Sequence, residues 1–445
     1  MLQRVGETVD PKDAVVKIKD ASFPAPFASE LEYNSPVHGN WNIVHTGMQV
    51  PEAIQIYVCA DNCMRGVVLT AAEMNAADRF SFVIVEEQHV LNGNLEDITI
   101  EGVTDVLNKR GDHPKAVLLF TVCLHHFVGS NLNYIYDELE RRFPDICFIR
   151  CYMDPIMQKH GLTPDQKLRK AMYDPLPECE PDAKTVSVFG SDFALDESSD
   201  IKRLLRRYGY TVRELPTCET WQDLLDMSKG RLFLDIYPAG KYGMETQARR
   251  LAREHLYLPG SFDYEEIEQQ LKQLTDALGL PEVSREALDV ERSACEEVLA
   301  KAKALIKDMP ITLDYLYHPR PLGLAKLLLT HGFNVKAVYL DGISPEEKAA
   351  FDWMQEHVPE LELIATIQVK MRVLPRGGEQ EVLAIGQKAA YFSRSRHFVN
   401  LVQGEGLYGF DSIRRTAELM MEAYREEKDT EKLVVQKGWG CECCL

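Results

Sequence analysis

"AIQIYVCADNCMRGVVLTAAEMNAA", residues 53–77, decides how this chain folds. Its opening, Ala53 to Val58, is a short apolar run with β-branched members, the pattern of a strand buried on both faces. From Arg65 the chain reads as a helix. Between the two stand Cys59, at the strand's end, and Cys63, in the turn that follows. Strand, turn and helix in that order form the repeating unit of a parallel sheet with helical crossovers.

The unit recurs in the flanking sequence. "FSFVIVEE" (80–87) leads through "QHVLNGN" into "LEDITIEGVTDVLNKRG" (95–111). "KAVLLFTV" (115–122) leads into "VGSNLNYIYDELERRF", and "ICFIRCYM" (146–153) follows. The pattern then restarts twice. "AKTVSVFGSD" (183–192) precedes the helix of "ESSDIKRLLRRYGYTVREL", and "ITLDYLYHPRPLGLAKLLLTHGFNVKAVYLDG" (311–342) repeats strand, loop, helix, strand. Gly209 and Gly332 stand where a helix ends on a positive φ. "VERSACEEVLAKAKALIKDMP" (290–310) reads as a long linking helix. The expectation is an α/β chain of three domains, each a parallel sheet flanked by helices. A Pro- and Asn-rich extended arm covers 1–45, a first domain 46–182, a second 183–309 and a third 310–445.

Composition narrows the function. Lys and Arg number 50 against 69 Asp and Glu, a formal charge of −19. So negative a surface repels a polyanionic backbone, and nucleic acid is not an expected partner. No run reaches the roughly 18 apolar residues a membrane helix needs. The opening residues lack the apolar core and cleavage site of a secretory signal. The expected address is cytoplasmic, with no membrane attachment. In that reducing setting, paired cysteines serve as ligands or redox groups more readily than as disulfides.

Placement must choose among eleven cysteines. Cys59, Cys63 and Cys123 all lie at or just past strand ends of the first domain, where chemistry gathers in open parallel sheets. Thiolates there suit the iron of a cubane cluster. Each alone also reads as a small buried hydrophobe, and those alternatives stay open. His125 and His126 follow Cys123 as candidates for hydrogen bonding to sulfur or for proton relay, or as histidines that only complete their own loop. Cys147 and Cys151 look structural. The tail, "KGWGCECCL", sets Cys441, Cys443 and Cys444 within four positions, as a further metal site or as a loose, oxidisable end.

In order along the chain, these segments resemble the nitrogenase component 1 family. The family includes nitrogenase catalytic subunits, cofactor scaffolds and dark-operative protochlorophyllide reductases. "EAIQIYVCADNCMRG" is similar to its "I-x-I-x-H-G-P-x-G-C" segment, with Cys63 on the ligating cysteine and Cys59 on the first glycine. "VLLFTVCLHHFVGSNLNYI" is similar to "V-x-S-x-C-x-x-x-x-I-G-D-D", with Cys123 on the ligand. "VLNGNLEDITIEGV", "SVFGSD", "LLRRYGYTV" and "LYGFDSIRRTAELM" resemble further family segments. The resemblance implies paired, related subunits or a homo-oligomer, with iron–sulfur clusters at the interface. It also implies electrons from an ATP-dependent iron protein and a small-molecule substrate.

The departures redirect that implication. No cysteine stands near Val37 and His38, where the family's first ligand falls, and Cys59 is extra. A [4Fe-4S] cluster on Cys59, Cys63 and Cys123 is therefore expected rather than the eight-iron form. Tyr408 stands on the family's cofactor histidine, and Tyr237 falls at or near its cofactor cysteine. No nitrogenase-type molybdenum–iron cofactor is expected. Asp235, Tyr237 and Lys241 are candidates to position substrate, because the family's cleft is reached from that strand end. Two functions remain in view: a subunit of a nitrogenase-like reductase, and a non-catalytic scaffold that assembles or transfers a cluster, which an accessible CECC tail would suit.

Overall fold

In the computed structural model the described residues are 10–28, 35, 43–154, 161–378 and 380–430. The strands are β1 (Val15–Lys17), β2 (Ala53–Cys59), β3 (Phe80–Ile84), β4 (Ala116–Val122), β5 (Cys147–Met153), β6 (Asp182–Phe189), β7 (Thr211–Glu214), β8 (Gly230–Asp235), β9 (Glu254–Tyr257), β10 (Pro310–Asp314), β11 (Asn334–Tyr339), β12 (Glu362–Ile364), β13 (Leu383–Ile385) and β14 (His397–Val399). They form three sheets, ordered β3-β2-β4-β5, β7-β6-β8-β9 and β1-β12-β11-β10-β13-β14. Every pairing is parallel except that of β1 with β12. The expected α/β class, parallel sheets flanked by helices, is the one found.

Burial explains why these runs became strands. All seven residues of β2 and all seven of β4 are buried, as strands covered on both faces must be. Side chains alternate between two cores: Tyr57 and Cys59 enter one, while Ile54, Ile56 and Val58 enter the other. Tyr57 and Phe120 stack at 4.3 Å between ring centroids and hold β2 to β4 on the first face. The rings of Tyr173, Phe189 and Phe233 continue that core onto the second sheet.

Two compact units emerge. Among the described residues, those of Trp41–Ala194 and Gly209–Leu258 form one, which contains the first two sheets. Those of Met1–Asn40, Leu195–Tyr208 and Pro259–Leu445 form the other, around the third sheet. The linking helix is present as Arg285–Ile306, and Gly209 and Gly332 take positive φ after their helices. The arm departs from expectation. Val15, Val16 and Lys17 are not free-running but pair with Ile364, Leu363 and Glu362. β12 would otherwise be an edge with a row of unpaired backbone groups, and the arm covers it. No helix among the described residues is long and apolar enough to cross a membrane.

All three sheets share one winding. The chain runs from the first strand of each set to a neighbour on one side, then returns to the other side. Each sheet so acquires a point where two adjacent strands send their following loops in opposite directions, which is where open α/β sheets bind ligands. These points lie between β2 and β4, between β6 and β8, and between β10 and β13.

Candidate functional site

The first of these points carries the cysteines. Cys59 ends β2 with its side chain in the apolar core, and burial pushes its thiol up to about 12, with Cys63 and Asp61 adding to the effect. Cys63 is exposed in the first turn of the helix Asp61–Glu73, its backbone N–H donating to Ala60 O at 2.9 Å. Its thiol is raised by partial burial and then by Cys123 close by. Cys123 is half-buried and directly follows β4. Cys59 thus senses Cys63, and Cys63 senses Cys123, although only Cys63 and Cys123 reach the surface. The loops and helices that follow β2, β3 and β4 also expose Leu91, Phe127, Val128 and Val68, at 77%, 60%, 45% and 39%, beside exposed polar groups such as Asp61 and Asn62.

The adjacent histidines differ. His125 is buried; its Nδ1 accepts from Val122 N–H at 3.3 Å, and its Nε2 lies 3.3 Å from Thr99 Oγ1. Thr99 Oγ1 donates onward to Leu95 O, so the neutral tautomer with hydrogen on Nε2 satisfies every partner. Burial holds His125 down to about 4. It ties the end of β4 to the helix Leu95–Lys109. His126 faces the other way. Its Nε2 lies 2.9 Å from Oδ2 of Asp154, the residue just past β5. Lys167 Nζ stands 3.7 Å from the same oxygen.

The second point is closed. Asp235, the last residue of β8, is fully buried, and burial raises its carboxyl to about 8. Oδ1 accepts from Tyr237 N–H at 3.1 Å, while Oδ2 has no hydrogen-bond partner among the described residues. Gly190 sits at φ +97° after β6, and a Cβ there would overlap Asp235 Oδ1. Only glycine fits both demands. Beside them Arg169 is buried, its Nη2 2.6 Å from Asp192 Oδ1 and its Nε 3.0 Å from Asp165 Oδ1. Its guanidinium carbon lies 5.6 Å from the Tyr237 ring centroid. Lys241 Nζ lies 4.4 Å from the centre of the Tyr257 ring.

The third point is also closed. Asp314 accepts from the N–H groups of Leu316, Tyr317 and Ala389 at 2.8, 3.1 and 2.7 Å. The buried Lys388 donates to Tyr315 Oη and Thr366 Oγ1 at 2.7 and 2.8 Å. Tyr408 is buried, its hydroxyl donating to Gln270 Oε1.

The structure thus brings Cys63 near both Cys59 and Cys123, and separates them from the Asp235, Tyr237 and Lys241 group, which belongs to the next sheet. Arg169, Asp192, Asp154 and Lys167 were not singled out from sequence. Asp192, in "FGSD" just beyond β6, was open to the strand-end rule; Arg169 and Lys167 lie in a charged helix, Pro164–Tyr173, with nothing to distinguish them. Cys441, Cys443, Cys444, Val37 and His38 lie outside the described residues.

Among the described residues no three of His, Cys, Asp and Glu come together tightly enough to hold a metal ion. Cys63 and Cys123 fit two positions of an iron–sulfur group: soft donors, near each other and reaching the surface. Cys59, with its thiol kept protonated in the core, fits only if the side chain turns out of it. Two donors make a partial ligand set.

A family model described as nitrogenase component 1 type oxidoreductase matches residues 68–424. No curated protein matches by sequence. Of solved structures, "Nitrogenase Cp1 at pH 6.5" is similar with a TM-score of 0.64 at 12% identity, over 96% of this chain and 95% of that one. "Nitrogenase Cp1 at pH 5" gives 0.60 at 11% identity, over 93% and 94%. At such identities the likeness is one of fold.

Proposed function

Since the chain belongs to the nitrogenase component 1 type oxidoreductases, we propose that it is a subunit of a nitrogenase-like reductase. In this reading Cys63 and Cys123 hold part of a [4Fe-4S] cluster. One observation carries it: two soft donors stand at the first sheet's switch point, beside loops that expose Leu91, Phe127 and Val128, and complete no metal site among the described residues. A second copy or a related subunit seated over Leu91, Phe127 and Val128 would bury that surface and supply the missing ligands.

When bound, such a cluster supplies one-electron transfer, from an ATP-dependent iron protein toward a small-molecule substrate. This chain's own residues hold and shield it. Partial burial and the neighbouring Cys123 raise the thiol of Cys63, so binding iron there would have to displace its proton. Tyr57 and Phe120, packed beneath, keep water from the inner side. His125 fixes the start of the Cys123 turn. Tyr237 and Lys241, half-buried beyond the end of β8, remain proposed as substrate-positioning groups, with the buried Asp235 holding the turn beneath them. The scaffold reading draws on the exposure of Cys63, since transfer needs a reachable thiolate.

Anaerobic purification followed by iron and acid-labile sulfide analysis tests the proposal. About four irons per cluster-bearing site are expected, in a species larger than one 50.6 kDa chain. Cys63→Ala and Cys123→Ala should each abolish the iron and the brown colour. Full iron in both variants, or a loaded monomer, overturns it. Iron handed to an acceptor, with none retained through turnover, replaces the reductase reading with the scaffold.

A further inference from the structure

Arg169 and Tyr173 stand four positions apart on the helix Pro164–Tyr173, so their side chains share a face. Both are fully buried, and that face lies over the second sheet. The Tyr173 ring meets the Phe189 ring edge-on at 5.2 Å. Phe189, the last residue of β6, is the register partner of Asp235. The helix thus sets a buried arginine and a buried tyrosine over the strand ends of the second switch point. The three groups sense one another: Arg169 and Asp235 both act on the Tyr173 hydroxyl, and Arg169 acts on the Asp235 carboxyl.

Each of the three keeps one buried polar atom with no hydrogen-bond partner among the described residues: Arg169 Nη1, Tyr173 Oη and Asp235 Oδ2. Tyr173 lies beside the guanidinium without the alignment of a hydrogen bond. The other atoms are already engaged. Arg169 Nε and Nη2 hold Asp165 and Asp192, and Asp235 Oδ1 takes the Tyr237 N–H. Buried polar groups are hydrogen-bonded as a rule, because leaving one unmade forfeits its whole hydration. Three such atoms at one strand end call for a shared partner.

Their chemistry selects it. Arg169 Nη1 only donates, Asp235 Oδ2 accepts when ionised and donates when protonated, and the tyrosine hydroxyl does either. The partner must therefore accept from the arginine and still be able to donate to the carboxylate. An anion accepts only, and it would join Asp165 and Asp192 around a single guanidinium. A cation gives Arg169 nothing to donate to and is repelled by it. A neutral molecule with one oxygen and two hydrogens meets every demand. The space is small: a Cβ on Gly190 or on Gly240 would come within 2.1 or 2.8 Å of Asp235 Oδ1.

We infer that the second switch point holds one resident water molecule, which accepts from Arg169 Nη1 and bridges Tyr173 Oη to Asp235 Oδ2. Three partners are the usual complement of an internal water. It joins Asp165, Asp192, Arg169, Tyr173 and Asp235 into one hydrogen-bonded system beneath the turn that begins at Tyr237. The inference concerns the second sheet alone and stands apart from the iron–sulfur reading.

The test is a crystal structure of the full chain at a resolution that shows ordered solvent, with a second crystal grown in bromide. The wild-type map should show a single spherical peak within about 3.2 Å of all three atoms. The bromide crystal should show no anomalous signal there. Tyr173→Phe removes one of the three partners and should lower the peak relative to other internal waters. No peak in the wild type, or direct contact among the three side chains, overturns the inference. A bromide signal overturns it in favour of an anion site. A peak of unchanged height in Tyr173→Phe shows that the hydroxyl is no partner and overturns the three-way bridge. Should that variant fail to fold, the two wild-type maps decide by themselves.

Discussion

Cys63 and Cys123 leave the first sheet from the same pair of strand ends that Asp192 and Asp235 leave in the second. The winding is the same, yet one site is open and the other shut. In the first sheet an exposed thiol and a half-buried one stand among exposed apolar residues. In the second, the buried Arg169 spans two half-buried aspartates and a glycine closes over the buried Asp235. The shared topology supplies a place for chemistry. Whether it is used depends on which groups stay unpaired and reachable once the chain has packed. The first sheet kept its reactive atoms outside the core; the second turned the same position into a polar brace.

The sharpest way to break that contrast is Arg169→Met. It leaves the carboxylates of Asp165 and Asp192 buried without their cation, and it should cost about 3–5 kcal/mol. Urea denaturation measures this directly. A loss under about 1 kcal/mol would mean that the second site is no brace.

Next in size is the pH profile governed by Asp235. Its folded-state carboxyl is raised from 3.8 to about 8, so between those values the folded chain holds a proton that the unfolded chain has lost. Its contribution is fully present below about pH 4 and is lost as pH rises through 8. At its steepest the slope is about 1.4 kcal/mol per pH unit. Asp235→Asn should remove that slope from chemical denaturation curves taken across the range; a variant that keeps the wild-type profile would sink this account.

The smallest expected effect is the most diagnostic. In the metal-free chain Cys63→Ser should change stability by less than about 0.5 kcal/mol, because an exposed side chain away from caps and pairs carries little. A cost comparable with that of Arg169→Met would place Cys63 among structural groups and erase the difference between the two sites.

The fold was legible because its signal is redundant. Each buried strand is a continuous apolar run, each crossover a helix, and Gly209 and Gly332 mark where two of those helices stop. β1 escaped notice because three residues, one of them Lys17, carry no period, and what recruits them is an edge hundreds of positions away. Cys63 and Cys123 were legible from type and strand-end placement together. The difference between His125 and His126 was not. A helix turns about 100° per residue, so neighbours face apart; which of them meets the core depends on Thr99 and Asp154, both remote in sequence. Arg169 was hidden differently: Asp165 stands four residues earlier, a spacing any exposed helix pair shows, and only the remote Asp192 makes the pair a buried one.

The strand at residues 15–17 also sets an order of events. It leaves the ribosome well before β12, its strand partner among the described residues, which follows more than three hundred residues later. At the usual pace of synthesis that interval is on the order of tens of seconds. During it the arm waits without a template, and when β12 appears it presents an open edge that any extended segment can occupy. That edge of the third sheet is therefore covered by a strand made long before it. A nascent chain stalled before β12 would carry two whole sheets and a loose ribbon.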